Sequence, residues 1–368
     1  MNDYYLLNWT RSNSTNSLGK VLITMNNTFK KLISVSIAGL LGIGAAAQAN
    51  DKVINLYSAR HYSTDEQMYA DFTKQTGIAI KRLELGDEAL LERLRSEGAR
   101  SPADVVLLVD AARLARAQQD GLFQPVSSKV LAEKIPAQFT GGNGLWHAFS
   151  ARSRVIVYNK ANIDPKLAQN YEDLAKPALK GKVCTRSGSH PYMLSLMSSM
   201  INRLGEKGAE SWAQGVVNNM ARSPKGGDTD QIRAVASGEC GVALSNSYYW
   251  VRLLKSDKAE DKEVVSKVGF IWPNQSSYGA HMNVSGGAVA KHAPNREGAI
   301  KFLEYLASDS AQKYFANGNN EWPTVAGVKV NNAELESLGA YKQDVTPAKT
   351  LAANTALSQQ IMDRVGYK

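Results

Sequence analysis

The residues of this chain whose types and spacing could do chemistry are four tyrosines and a histidine set in short turn-like motifs. His61 and Tyr62 lie in S-A-R-H-Y-S-T, Tyr192 in S-G-S-H-P-Y-M, and Tyr248 with Tyr249 in S-N-S-Y-Y-W. Phenolate oxygen is a hard, strongly donating ligand, and a trivalent iron ion is a hard, highly charged acid. A tyrosine cluster beside one histidine therefore points to ferric iron first. Tyrosine ionises at about pH 10 in water, so four bound phenolates at neutral pH need a strong cation to drive off their protons. One ferric ion with four phenolates carries a charge of −1, and burying that charge is costly unless a cation stands nearby.

Adjacent residues on a helix point about 100° apart. Tyr248 and Tyr249 can reach one ion only from a strand-to-helix turn, which Ser245-Asn246-Ser247 suggests. Arg252, four residues after Tyr248, is one helical turn on and is a candidate neighbouring cation. The plainer alternatives are an aromatic wedge in a core or sugar site for Tyr-Tyr-Trp, and a surface ion pair for Arg252. His190 is a rival ligand that Pro191 turns to the other side, His281 is a remoter one, and Asp110 is expected to cap the helix after it.

These motifs must be positioned by elements that the rest of the sequence announces. Residues 25–49 carry Lys30 and Lys31, an apolar run over 32–46 and an Ala47-Gln48-Ala49 cleavage pattern, the marks of an export signal. Met25 then reads as a start, with 1–24 an upstream extension; 1–49 is set aside from the fold. The apolar run is too short for an ordinary spanning helix, and no stable membrane insertion is expected. About 320 residues remain, enough for two lobes. The formal net charge of +9 falls to about +6 without Arg11, Lys20, Lys30, Lys31 and Asp3. The basic residues are scattered, without interleaved aromatics, which argues against nucleic acid as a partner.

Cys184 and Cys240 are the only cysteines. An even count in an exported chain favours one disulfide over two buried thiols, and the lack of C-x-x-C spacing disfavours a cysteine metal site. A bridge would tie together the strands that lead to Tyr192 and to Tyr248.

Strands and helices alternate throughout, the pattern of α/β sheets flanked by helices. Strands are expected at 53–57, 78–83, 103–109, 154–159, 181–184, 241–244 and 286–290. Ser63 with Glu66 forms a capping-box pattern for a helix ending at Gly77, and Asp87 is expected to cap the next. Helices follow at 191–203, 206–220, 228–237, 295–307 and 309–317. Each tyrosine motif then follows a strand, at the carboxyl ends where open α/β sheets bind ligands. No Pro/Gly/Ser linker separates the lobes, so strands are expected to join them.

Several stretches resemble one known family: 56–62, 152–159, Tyr171-Glu172-Asp173-Leu174 with Gly181-Lys182, 245–249, and 299–316 before Glu321-Trp322-Pro323. The chain is similar to periplasmic ferric-iron-binding proteins of ABC importers, in the FutA/IdiA branch. The resemblance covers essentially everything from residue 52 onward. It implies a type II, two-lobed, transferrin-like clamp, each lobe a mixed, mostly parallel sheet flanked by helices, with a strand hinge. The implied lobes are 51–152 plus 279–330, and 153–278 plus 331–368. His61, Tyr62, Tyr192, Tyr248 and Tyr249 would ligate Fe3+, with Fe2+ a lesser option, and Arg152 and Arg252 would stand behind them. Five protein donors would make a synergistic anion unnecessary. A monomer is expected, which delivers iron to an ABC-type ferric permease from the periplasm, with an intracellular pool left open by the upstream Met1. The competing classes are a solute-binding protein for an organic cation or oxyanion, whose polyamine form would want cleft carboxylates, and a tyrosinate-iron oxygenase, which would need open coordination positions.

Overall fold

The strand β1 (Val53–Ser58) lies between β2 (Ala79–Glu84) and β3 (Val105–Leu108), parallel to both. The computed structural model describes residues 52–60 and 62–368. The export-type segment and His61 lie outside the described residues. All four β3 residues are buried, as a strand covered on both faces requires. The β1–β2 crossover is the helix Asp65–Thr76, which buries Met68, Tyr69 and Phe72 and stops at Gly77 in the left-handed region, φ 72°.

The start of that helix departs from the expected capping box. Thr64 precedes the first turn with no side-chain cap, and the nearby acids serve arginines instead. Arg60 binds Asp65 at 2.8 Å and Arg82 binds Glu66 at 2.5 Å. Arg60 is buried, and a buried guanidinium without a carboxylate costs more than a helix end open to water. Likewise Gly86 rather than Asp87 precedes the helix Asp87–Glu97, and the Asp87 carboxylate accepts the Val109 N–H at 3.0 Å. Asp110 caps the helix Ala111–Gln119, as expected, accepting the Arg113 N–H at 3.0 Å.

Two long strands cross the middle of the molecule. β9 (Ala280–Ala290) runs antiparallel beside β3, and β5 (His147–Asn159) runs antiparallel beside β9. Beyond Ser153, β5 changes partners to β7 (Val242–Asn246) and β8 (Val268–Ile271), while β6 (Val183–Cys184) lies parallel to β7. The order is β2-β1-β3-β9-β5-β7-β6. Short pieces complete it: β4 (Phe123–Gln124) and β11 (Gln343–Asp344) on β9, and β10 (Trp322–Pro323) on β5. This is a two-lobed α/β architecture in which β5 serves both lobes.

Both crossing strands extend well beyond the apolar runs 154–159 and 286–290 that mark them in the sequence. The added stretch of β5 holds buried His147, Ser150, Arg152 and Ser153, which a hydropathy reading takes for a loop. Three of these polar groups have fixed partners. Ser150 donates to Glu321 at 2.8 Å, Arg152 to Ser285 at 3.0 Å and Ser153 to Tyr341 at 2.8 Å.

Each lobe has its own core. One gathers Ile54, Leu56, Phe72, Val105, Phe302 and Leu303, and the other Ile156, Tyr171, Met197, Trp212, Val242 and Leu244. The expected helices 191–203 and 206–220 form one element, Pro191–Asn218, broken at Gly205 (φ 71°, ψ 171°). The last helix, Ala348–Arg364, places Leu351 against the β1–β3 side and Ile361 and Met362 in the second core.

Cys184 and Cys240 form the expected disulfide, closing a separation of 56 residues across the β6–β7 edge. Removing it with the double change C184S/C240S should lower unfolding free energy by roughly 4 kcal/mol, the size that loop entropy gives for such a closure. Urea denaturation measures the loss.

His147 and His281 are buried, and burial pushes each imidazole down to about 4. An imidazole in the unfolded chain titrates at about 6.5, so the unfolded state takes up protons first as pH falls. The stability these groups allow is intact above pH 6.5 and is lost progressively towards pH 4. His147→Gln should flatten the fall in urea midpoint over that window, and an unchanged slope would contradict the assignment.

Candidate metal centre

Each of the four described tyrosines follows a strand end. Tyr62 comes after β1, where the chain leaves Ser58 and turns into the helix Asp65–Thr76. Tyr192 is in the first turn of Pro191–Asn218, and Tyr248 and Tyr249 are in the first turn of the helix Ser247–Leu254, which follows β7 directly. Side chains of a helix lean towards its N-terminus, so first-turn residues project beyond the helix start, over the strand ends. The strand-to-helix turn required by a Tyr-Tyr pair is therefore present. Two helix N-termini also direct partial positive charge to this region, which favours anionic oxygen.

The phenols converge. Tyr192 Oη lies 3.0 Å from Tyr248 Oη, and the Tyr248 and Tyr249 ring centroids are 4.3 Å apart. Tyr62 stands close enough to Tyr192 and Tyr248 to raise the pKa of both. Tyr248 is 1% exposed and the other three are partly buried. A cavity of about 500 Å3 opens beside Tyr192, lined also by Ser58, Asp87, Asp110 and His190 among others.

Their surroundings hold Tyr62, Tyr192 and Tyr248 protonated when nothing is bound. Burial raises Tyr248 well above its ordinary value, and Tyr192, Tyr62 and Tyr249 add to the effect. Tyr192 is raised by burial and then by Tyr62 and Tyr249, and Tyr62 by burial and then by Glu321. Arg152 opposes the rise at all three. That guanidinium is itself buried, donating to Ser285 and to the Val109 carbonyl. Burial works against its charge, but Glu321 and the phenols outweigh burial and raise its pKa. Arg252 is placed differently: it is exposed, with its guanidinium 5.3 Å from the Tyr249 ring centre.

The rival candidates have other partners. His190 Nδ1 accepts the Tyr192 N–H at 3.1 Å, which makes it the cap of its helix. His281 shares a hydrogen bond with Ser195 at 3.0 Å in a buried network, and Asp110 accepts from Asn283 at 2.7 Å. Among the described residues no group of three His, Cys, Asp or Glu side chains could hold a metal, so phenols dominate the donor chemistry. No helix among them is long and apolar enough to cross a membrane.

Sequence reasoning missed a ring of buried ions around the phenols. Arg60, 5.0 Å from the Tyr62 ring centre, binds Asp65 and lies 3.4 Å from Glu321. Arg154 and Arg186 both face the Tyr192 ring and both bind Asp228. Arg60 could have been noticed beside His61, but Glu321 and Asp228 lie far along the chain and carry no local signal.

Fold and site together define a two-lobed solute-binding protein with a cluster of tyrosines at its strand ends. The model for the bacterial extracellular solute-binding proteins matches residues 57–313, and the chain belongs to that family. It is 47% identical to iron uptake protein A1 of Synechocystis sp., over 86% of this chain and 87% of that one. Among solved structures, Trichodesmium IdiA (FutA) in complex with iron and citrate ligands is 51% identical, with a TM-score of 0.80, over 86% of this chain and all of that one. The ferric binding protein from Campylobacter jejuni is 40% identical with a TM-score of 0.81, over the same shares.

A capping role for His190 separates from a ligand role by substitution. His190→Ala should cost about 1 kcal/mol of unfolding free energy, and His190→Asn, which keeps an acceptor, should restore most of it. Urea denaturation of the two variants decides, and a loss that Asn does not recover would contradict the cap.

Proposed function

We propose that this chain binds ferric iron in the cleft between its lobes and delivers it to an ABC-type permease, as a transport component and not an enzyme. The observation that carries the reading is the convergence of Tyr62, Tyr192, Tyr248 and Tyr249 around the 3.0 Å Tyr192–Tyr248 hydroxyl contact, with Arg152 as the cation that acts on three of them. Burial keeps Tyr62, Tyr192 and Tyr248 protonated until a strongly charged hard cation arrives, and the cluster then offers anionic oxygens to it. His61, adjacent to Tyr62, is the fifth proposed ligand. Five protein donors leave no need for a small anion to complete the shell, and Fe2+ would bind more weakly.

The proposed lobes are 51–152 with 279–330 and 153–278 with 331–368, hinged on β5 and β9. His61 and Tyr62 would come from the first and the other three tyrosines from the second, so lobe closure and metal affinity are linked. The similarity to periplasmic iron-binding relatives supports export to the periplasm, and action as a monomer is proposed with it.

Adding ferric iron to the purified chain should produce a broad visible phenolate-to-iron charge-transfer band, with protons released as it forms. Tyr248→Phe should weaken the band and lower ferric affinity at least about tenfold, or about 1.4 kcal/mol. A colourless wild-type protein would sink the reading and favour an organic solute.

A further inference from the structure

Asp228 lies where three segments that build the cleft meet. It is the first residue of the helix Asp228–Ser237, and its side chain is fully buried. Its Oδ2 accepts from Arg154 on β5 at 2.5 Å and from the Asn246 N–H at 2.7 Å. Its Oδ1 accepts from Arg186 at 3.2 Å. Arg186 belongs to the segment between the disulfide-bonded Cys184 and the helix of Tyr192. Asn246 is the last residue of β7, immediately before the turn of Tyr248 and Tyr249. One carboxylate thus ties β5 to two of the three turns that present phenols.

The two guanidiniums it holds are also aimed. The Arg186 guanidinium carbon is 4.9 Å and that of Arg154 5.8 Å from the Tyr192 ring centre. Their Nε atoms find no protein acceptor, so hydrogen-bond satisfaction alone does not account for burying both. Two guanidiniums against one carboxylate leave a single surplus positive charge beside Tyr192. A cation near the face of an aromatic ring is attracted to its electron density, and a metal-bound phenolate ring is richer in electrons than a phenol.

We propose that Asp228 is a positioning residue for the metal site, acting through Arg154 and Arg186, which hold the Tyr192 ring and supply positive charge to its phenolate. The proposal rests on the ferric reading above and assigns roles to residues outside the ligand set. Partners of this kind typically change metal affinity by roughly 10–100-fold.

The test compares wild type, Arg186→Met, Arg186→Lys and Asp228→Asn for ferric affinity by citrate competition, for the charge-transfer maximum, and for melting temperature without iron. Arg186 carries the test because its side chain is 14% exposed and its loss leaves the Arg154–Asp228 pair intact. The expected result is a roughly 10–100-fold loss of affinity in Arg186→Met, with a shifted absorption maximum, largely recovered in Arg186→Lys. Asp228→Asn, if it folds, should shift the maximum too. Wild-type affinity and an unshifted maximum in Arg186→Met would overturn the positioning role while leaving the ferric reading standing. So would weakened binding with an unshifted maximum and no recovery by lysine, which marks a purely structural loss. A wild-type chain with no band at all would fail the ferric reading itself, and this proposal with it.

Discussion

The 3.0 Å contact between the Tyr192 and Tyr248 hydroxyls is the constraint around which the cleft is organised. Two phenols so close share one hydrogen bond easily but cannot both ionise in a buried place without nearby positive charge. Arg152 is buried where it acts on both, and on Tyr62 as well. Buried arginines in turn require acids. Asp228 answers Arg154 and Arg186, and Asp65 and Glu321 answer Arg60. The polar interior of this protein follows from bringing phenols together.

The same requirement shapes β5. Arg152 and Arg154 stand on a strand that pairs with β9 and β10 along one part and with β7 and β8 along the other. Arg152 faces Ser285 of β9, and Arg154 faces Asn246 of β7 and Asp228. Groups that act on the phenols are therefore mounted on the element common to both lobes. A change in the angle between lobes would be felt at these guanidiniums as directly as at the tyrosines.

Much of this was legible in the sequence, for physical reasons that particular elements show. β3 and the helix Asp65–Thr76 bury apolar residues at periods of their own, and their positions came close to those expected. The tyrosine turns were legible because each follows a strand and opens a helix, and the cysteines because two of them had one available pairing. The first half of β5 was not, since Ser150, Arg152 and Ser153 are buried through specific partners rather than through apolarity. Nor was the Ser63–Glu66 pattern a guide, because Arg60 and Arg82 claimed the acids nearby. The helix instead starts one residue later, after Thr64, and Glu66 pairs with the exposed Arg82. Glu321 and Asp228 come to the cleft by tertiary folding alone.

The charges around the phenols bear on which oxidation state the proposed site would favour. On the Tyr192 side, Arg154 and Arg186 exceed Asp228 by one positive charge, and Arg152 supplies another. On the Tyr62 side, Asp65 and Glu321 exceed Arg60 by one negative charge. Those seven ions alone sum to a single positive charge, and Asp87 and Asp110 in the cavity wall beside Tyr192 add negative charge to it. Reduction adds one electron and one uncompensated negative charge in a medium that screens poorly. Of the arginines beside these rings, Arg252 is the exposed one, over Tyr249, and water screens what it can offer. Arginines outside the proposed ligand set therefore bear on how well the cleft would carry an added negative charge.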